Sequence, residues 1–151
     1  MSCVRELSET QPYLPDIRED DFVVMTTNYY ETFIGIADDC PVVRAEIPPS
    51  KEPKSIAQIE YEMVIDRPYA YTSDDVLYAA NGERRGISKE EFFSKGQPCF
   101  RASPLTKRYG WGVHSNKEGK IAIYALESDE YKRYAEDDSL KQLKAMRSKR
   151  G

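Results

Sequence analysis

The chain has 151 residues, of which 40% are hydrophobic and 32% charged, with a formal net charge of −4. This length favours one domain, and the composition is that of a globular protein, neither disordered nor membrane-embedded. No apolar run is long enough to span a bilayer. Met1 to Asp21 contains no apolar signal core and carries Glu6, Glu9, Asp16, Glu19, Asp20 and Asp21, so a cytoplasmic location is expected.

The charge is unevenly placed. Residues 1–24 hold six acids against Arg5 and Arg18 and account for the whole −4, while residues 25–151 balance at 20 acidic and 20 basic side chains. Punctuated by Pro12 and Pro15, residues 1–24 read as a flexible acidic extension, and a single α+β domain is expected over 25–151. A neutral body gives no domain-wide footprint for nucleic acid. Cys3, Cys40 and Cys99 are an odd number at wide spacing, which argues against a disulfide framework and shows no metal-ligand pattern. There is no phosphate-binding glycine loop and no dinucleotide fingerprint, and no cofactor is implied.

In chain order, Tyr30 to Ile36 is rich in β-branched and aromatic residues and reads as a strand ended by Asp38-Asp39-Cys40-Pro41. Three prolines make Ile47 to Pro53 a loop. Ser55 to Gln58 matches a capping box, followed by Ile56, Ile59 and Met63 at the spacing of one helix face, with Pro68 as the stop. Thr72 to Asp75 opens a second helix that would bury Val76, Leu77 and Ala80 and close at Gly82 or Gly86. Ser88 to Glu91 opens a third, running through Phe92-Phe93 to Gly96. Pro98–Ala102, Tyr109–Ser115 and Lys120–Leu126 are then strand candidates. Ser128 caps a helix through Tyr134, and Leu140, Leu143 and Met146 suggest a last helical segment. The expected fold is α+β, an antiparallel sheet of about three to five strands with helices packed mainly on one face.

Lys117-Glu118-Gly119 suits a three-residue hairpin loop with Gly119 left-handed. That register sets Val113 opposite Ile123 and Gly112 opposite Tyr124. One face then carries Tyr109, Trp111, Val113, Ile121, Ile123 and Ala125 as core, and the other Gly110, Gly112, His114, Ala122, Tyr124 and Leu126. Bare Gly110 and Gly112 leave a trough on the second face, to be filled by a ligand, by Tyr124 lying across Gly112, or by a closely packed helix.

Between Glu91 and Glu118 there is no acid, while Lys95, Arg101, Lys107, Arg108 and Lys117 fall there with the one Trp and the one His. Basic side chains beside aromatic rings suit a phosphate, carboxylate or nucleotide. A ligand site is therefore expected among Arg101, Ser103, Lys107, Arg108, Tyr109, Trp111 and His114, binding a small anionic or nucleotide-like molecule. The competing expectation is that these cations pair with the acidic helical region, Glu60 to Glu91. A second reading makes His114 an acid or base in a small enzyme, with Asp74 or Tyr124 as its partner. A third makes the segment a protein-docking surface. Ser103 and Cys99 lack any activating motif as nucleophiles. Asp38-Asp39 and Asp74-Asp75 are explained by capping more simply than by a cation, and no metal site is assigned. Lys141 to Arg150 has five basic residues and no acid, a solvated helix end or a weak contact for phosphate backbones.

Ile56 to Val76 (with Tyr61-Glu62-Met63 and Tyr71-Thr-Ser-Asp-Asp-Val76), Glu91 to Cys99, and Arg101-Ala-Ser-Pro-Leu-Thr-Lys-Arg-Tyr-Gly-Trp-Gly112 resemble an uncharacterised domain family of small soluble proteins. The resemblance runs from about Met25 to Ala145–Arg150 and implies no catalytic residue. Lys107-Arg-Tyr-Gly-Trp111 alone is similar to the YjbR-like proteins, which implies helices on an antiparallel sheet and nothing about function.

Overall fold

The computed structural model describes residues 26–148. The acidic extension expected over 1–24 and the last residues of the basic tail lie outside that range. Strands β1 (Thr32–Gly35), β2 (Trp111–Ser115), β3 (Ile121–Ala125) and β4 (Lys141–Lys144) form one sheet in the order β3-β2-β1-β4. β2 pairs antiparallel with both β3 and β1, whereas β1 and β4 run parallel. The sheet is thus mostly antiparallel, within an α+β fold. The segment from Leu140 to Met146 is correspondingly not a helix. Leu143 packs beside Ile34 on the core side while Lys141 and Lys144 stay exposed, a pattern that short strands and short helices share. Pro98–Ala102 likewise forms no strand; Phe100–Ala102 is a 3-10 turn.

Helices α1 (Ile56–Ile65), α2 (Ser73–Leu77), α3 (Lys89–Phe92), α4 (Pro104–Lys107) and α5 (Asp129–Ala135) start at side-chain caps. Ser55 Oγ accepts from Gln58 N (3.1 Å), and Ser88 Oγ and Ser128 Oγ do the same for Glu91 N and Tyr131 N. Only at Thr72 and Asp75 is the box reciprocal. At Ser55 the Gln58 amide turns instead to Lys51 N and Glu62. After α2 the chain widens into a π turn (Tyr78–Gly82) and a 3-10 turn (Glu83–Arg85), and Gly86 closes the segment with φ +72°. Asp74 takes Thr26 Oγ1, Thr27 N and Thr27 Oγ1 at 2.6–2.7 Å, tying the start of the described chain to α2.

The hairpin has the expected register, with Val113 opposite Ile123, Gly112 opposite Tyr124 and Gly119 at φ +79°. Trp111, Val113, Ile121 and Ile123 join Ile34, Val64, Val76, Phe100 and Leu105 in the main core. α1 presents Ala57, Glu60 and Val64 as its deepest residues, while Ile56, Ile59 and Met63 are only partly buried. The helix is therefore rotated from the face its isoleucines suggest, with a glutamate at a core position.

On the opposite face α5 covers Gly112, whereas Gly110, at φ +83°, lies against Val42 and Ala45. A Cβ on Gly112 would lie 2.6 Å from both Phe33 Cζ and Tyr131 Cε2. The ring of Phe33 meets Tyr131 edge-on, with centroids 5.0 Å apart. Both glycines are thus covered by protein, Gly112 by the packed helix and Gly110 by the chain at 42–45, which leaves no open trough. Gly112→Ala is expected to lower unfolding stability by about 1–3 kcal/mol through this overpacking. Denaturant titration of the purified variant checks it, and a change within error would mean that the two rings move aside.

Candidate functional site

α4 begins where Ser103 Oγ accepts from Leu105 N (3.1 Å), and it ends as Arg108 N and Tyr109 N both donate to Pro104 O. This short helix sets Lys107, Arg108 and Tyr109 side by side. They wall a cavity of about 350 Å³ whose opposite side is formed by Lys51, Ser55, Ile56 and Ala57. Ile56 and Ala57 are the first two residues of α1, whose N–H groups have no acceptor within the helix and form its positive end. No aspartate or glutamate lines this cavity. Among the described residues the ion pairs join other partners, such as Arg44 with Glu127, Lys54 with Glu62 and Lys89 with Asp75. Lys51, Lys107 and Arg108 take part in none of them.

The other expected site residues go elsewhere. Arg101 donates from Nε to Lys144 O (2.7 Å) and supports β4. Trp111 is buried against Tyr61, with its indole N–H on Glu46 O (2.8 Å). His114 lies on the α5 face. Its Nδ1 is 2.8 Å from Tyr69 Oη, which is 2.9 Å from Tyr124 Oη, and Tyr134 stacks on the imidazole at 4.2 Å. Burial holds that imidazole below its ordinary value, against a smaller opposing pull from Asp137. Tyr124 is joined to His114 through Tyr69, a residue held at the unusual φ of +62°, whereas Asp74 is committed to Thr26 and Thr27.

Ser103 leads to a residue that pattern reading passes over. Its hydroxyl donates to Glu60 Oε1 at 2.7 Å, in the interior. Glu60 is only 1% exposed, and its second carboxyl oxygen has no hydrogen-bond partner among the described residues. Burial pushes the carboxyl up to about 7, and the Ser103 hydrogen bond offsets this only in part. Glu60 and Ser103 lie in the wall of a smaller recess, about 270 Å³, together with Asn81 and Cys99. Cys99 Sγ is 3.3 Å from Tyr29 Oη, and burial foremost, with that contact, pushes the phenol up to about 12. The recess shares Ile56, Ala102 and Pro104 with the basic cavity, so the two adjoin. A larger cavity of about 540 Å³ lies between α5 and β4, but its Asp38 and Lys144 neutralise each other at 2.7 Å. Size alone does not make it the better candidate.

The fold and this paired cavity describe a small α+β domain with a basic pocket at a helix start. The chain belongs to a family of unknown function, DUF6157, whose model matches residues 24–151. No curated protein and no solved structure matches it. The fold likeness to the YjbR-like proteins accordingly finds no support. Among the described residues no helix is long and apolar enough to cross a membrane.

The native state holds an extra proton on Glu60 between the ordinary carboxyl value of 4.5 and about 7. Stability from this group is therefore full below the lower value, falls as pH rises across the window, and is flat above it, a loss of up to about 3 kcal/mol. Glu60→Gln keeps an acceptor for Ser103 and is expected to remove that fall. Denaturant unfolding of both proteins at pH 5 and pH 8 measures the difference; parallel pH profiles would refute the assignment.

Proposed function

We propose that the domain binds a small anionic or nucleotide-like ligand in the cavity between α4 and the start of α1. The single observation that carries this reading is a concave site with three cations, no lining acid and no ion pair among the described residues to neutralise them. Unpaired cations converging on a pocket favour an external anion over internal salt bridges. Arg108 provides a planar fork, Lys51 and Lys107 provide point charges, and the first N–H groups of α1 supply fixed dipoles. Tyr109 offers an aromatic wall on which a base or sugar can lie. Arg101, Trp111 and His114, set apart by their own bonds, are not needed for this function.

The proposed ligand is soluble and small. A cavity of about 350 Å³ suits a phosphorylated metabolite or mononucleotide fragment better than a polymer. A panel of phosphorylated metabolites is expected to contain compounds that raise the Tm by about 3 °C or more at about ten times their Kd. Arg108→Ala and Lys51→Ala should each abolish most of that rise while leaving the unliganded Tm close to the wild-type value. A broad anion panel with no shift, or shifts that survive both substitutions, would rule the site out.

A further inference from the structure

The recess beside the basic cavity poses a separate chemical problem. It contains a deeply buried carboxylate that receives one hydrogen bond from the protein, and no lysine or arginine lines it. Burying an ionised carboxylate without a cation or a full set of donors is costly, and an added cationic donor removes most of that cost. Asn81 stands in the same wall, carried there by the π turn after α2, and its side-chain amide has no partner among the described residues. A π turn of this kind frequently marks a functional position. The recess therefore holds a buried carboxylate and an amide oxygen but no cation, the reverse of the cavity it adjoins.

We propose that the Glu60 recess is the second half of the ligand site and takes a primary ammonium group, so that the ligand is a small zwitterion with an anionic group at one end and an amine at the other. The inference rests on the anion-binding reading of the adjoining cavity. The anion sits against Lys107, Arg108 and the start of α1, and the ammonium donates to Glu60 and Asn81. Ile56, at the mouth of the helix, and Glu60 are one helical turn apart, about 6 Å along the axis. An amine and a phosphate or carboxylate separated by a short alkyl chain span that distance. Glu60 contributes only a small surface to the recess, so an unbranched ammonium fits better than a substituted one.

The probes are O-phosphoethanolamine and its longer aminoalkyl phosphate homologues, each set against the alkyl phosphate of equal chain length. Isothermal titration at pH 8 with the full-length protein should show at least one aminoalkyl phosphate binding about tenfold tighter than its amine-free counterpart. Glu60→Gln should bring the two affinities to within about twofold. If that variant fails to fold, the wild-type protein at pH 5, where Glu60 holds its proton, should show the same loss of preference. Alkyl phosphates that bind as tightly as every aminoalkyl phosphate would overturn the zwitterion and leave the anion site standing. A preference that survives both Glu60→Gln and pH 5 would do the same. Absence of binding by either class would overturn both readings together.

Discussion

The hydrogen bond from Ser103 to Glu60 is the constraint around which this half of the molecule is arranged. Ser103 also caps α4, so one hydroxyl fixes the start of that helix and holds α1 against it. From the first link follows the placement of Lys107 and Arg108, since α4 is only one turn long and its end is determined by its beginning. From the second follows the rotation of α1, which turns Ala57 and Val64 inward and leaves Ile56 at the cavity mouth. A carboxylic acid at the centre of such an arrangement adds little net stability, and its desolvation opposes folding. Its retention in the interior is better explained by the position it occupies than by the energy it supplies.

The two faces of the sheet differ in kind. The face under α1 and α4 is mainly aliphatic at depth, with Phe100 and Trp111 among its leucine, isoleucine and valine side chains, and polar at its margin, where the helix starts converge. The face under α5 is a stack of rings, Phe33, Tyr131, Tyr134, Tyr124 and His114, whose hydroxyl and imidazole groups largely satisfy one another. Internally satisfied polar networks stiffen a structure. Polar groups left open toward a cavity are what a ligand can use. That contrast leaves the open polar groups at the α1–α4 corner and the solitary histidine within a satisfied network.

Much of the fold was legible. The turn at Gly119 and the alternation along β2 and β3 determine the hairpin register, and serine or threonine caps mark where the helices begin. Leu140, Leu143 and Met146 misled because a short strand with one inward leucine has no period of its own; its partner, β1, decides the matter. Half of the candidate site was legible as well. Lys107, Arg108 and Tyr109 are contiguous and therefore visible, whereas Lys51 and the start of α1 join them only through folding. Ser55 signalled the helix start but not what it faces. Glu60 gave no signal, since a glutamate one turn before Val64 reads as a solvated position until Ser103 is known to lie against it.

The parallel pairing of β1 with β4 has a kinetic consequence. Every other sheet contact joins neighbours or closes through β2, but Thr32 meets Lys141 across almost the full length of the described chain. Contacts so distant in sequence carry the largest loop-closure penalty and slow the search for the native topology. Until Lys141–Lys144 arrives, β1 is an uncovered edge, with Ile34 already apolar on one side and Phe33 on the other. With β4 in place the hydrogen-bonding edge of β1 is closed, and the rim of the sheet passes to a strand whose Lys141, Gln142 and Lys144 are exposed.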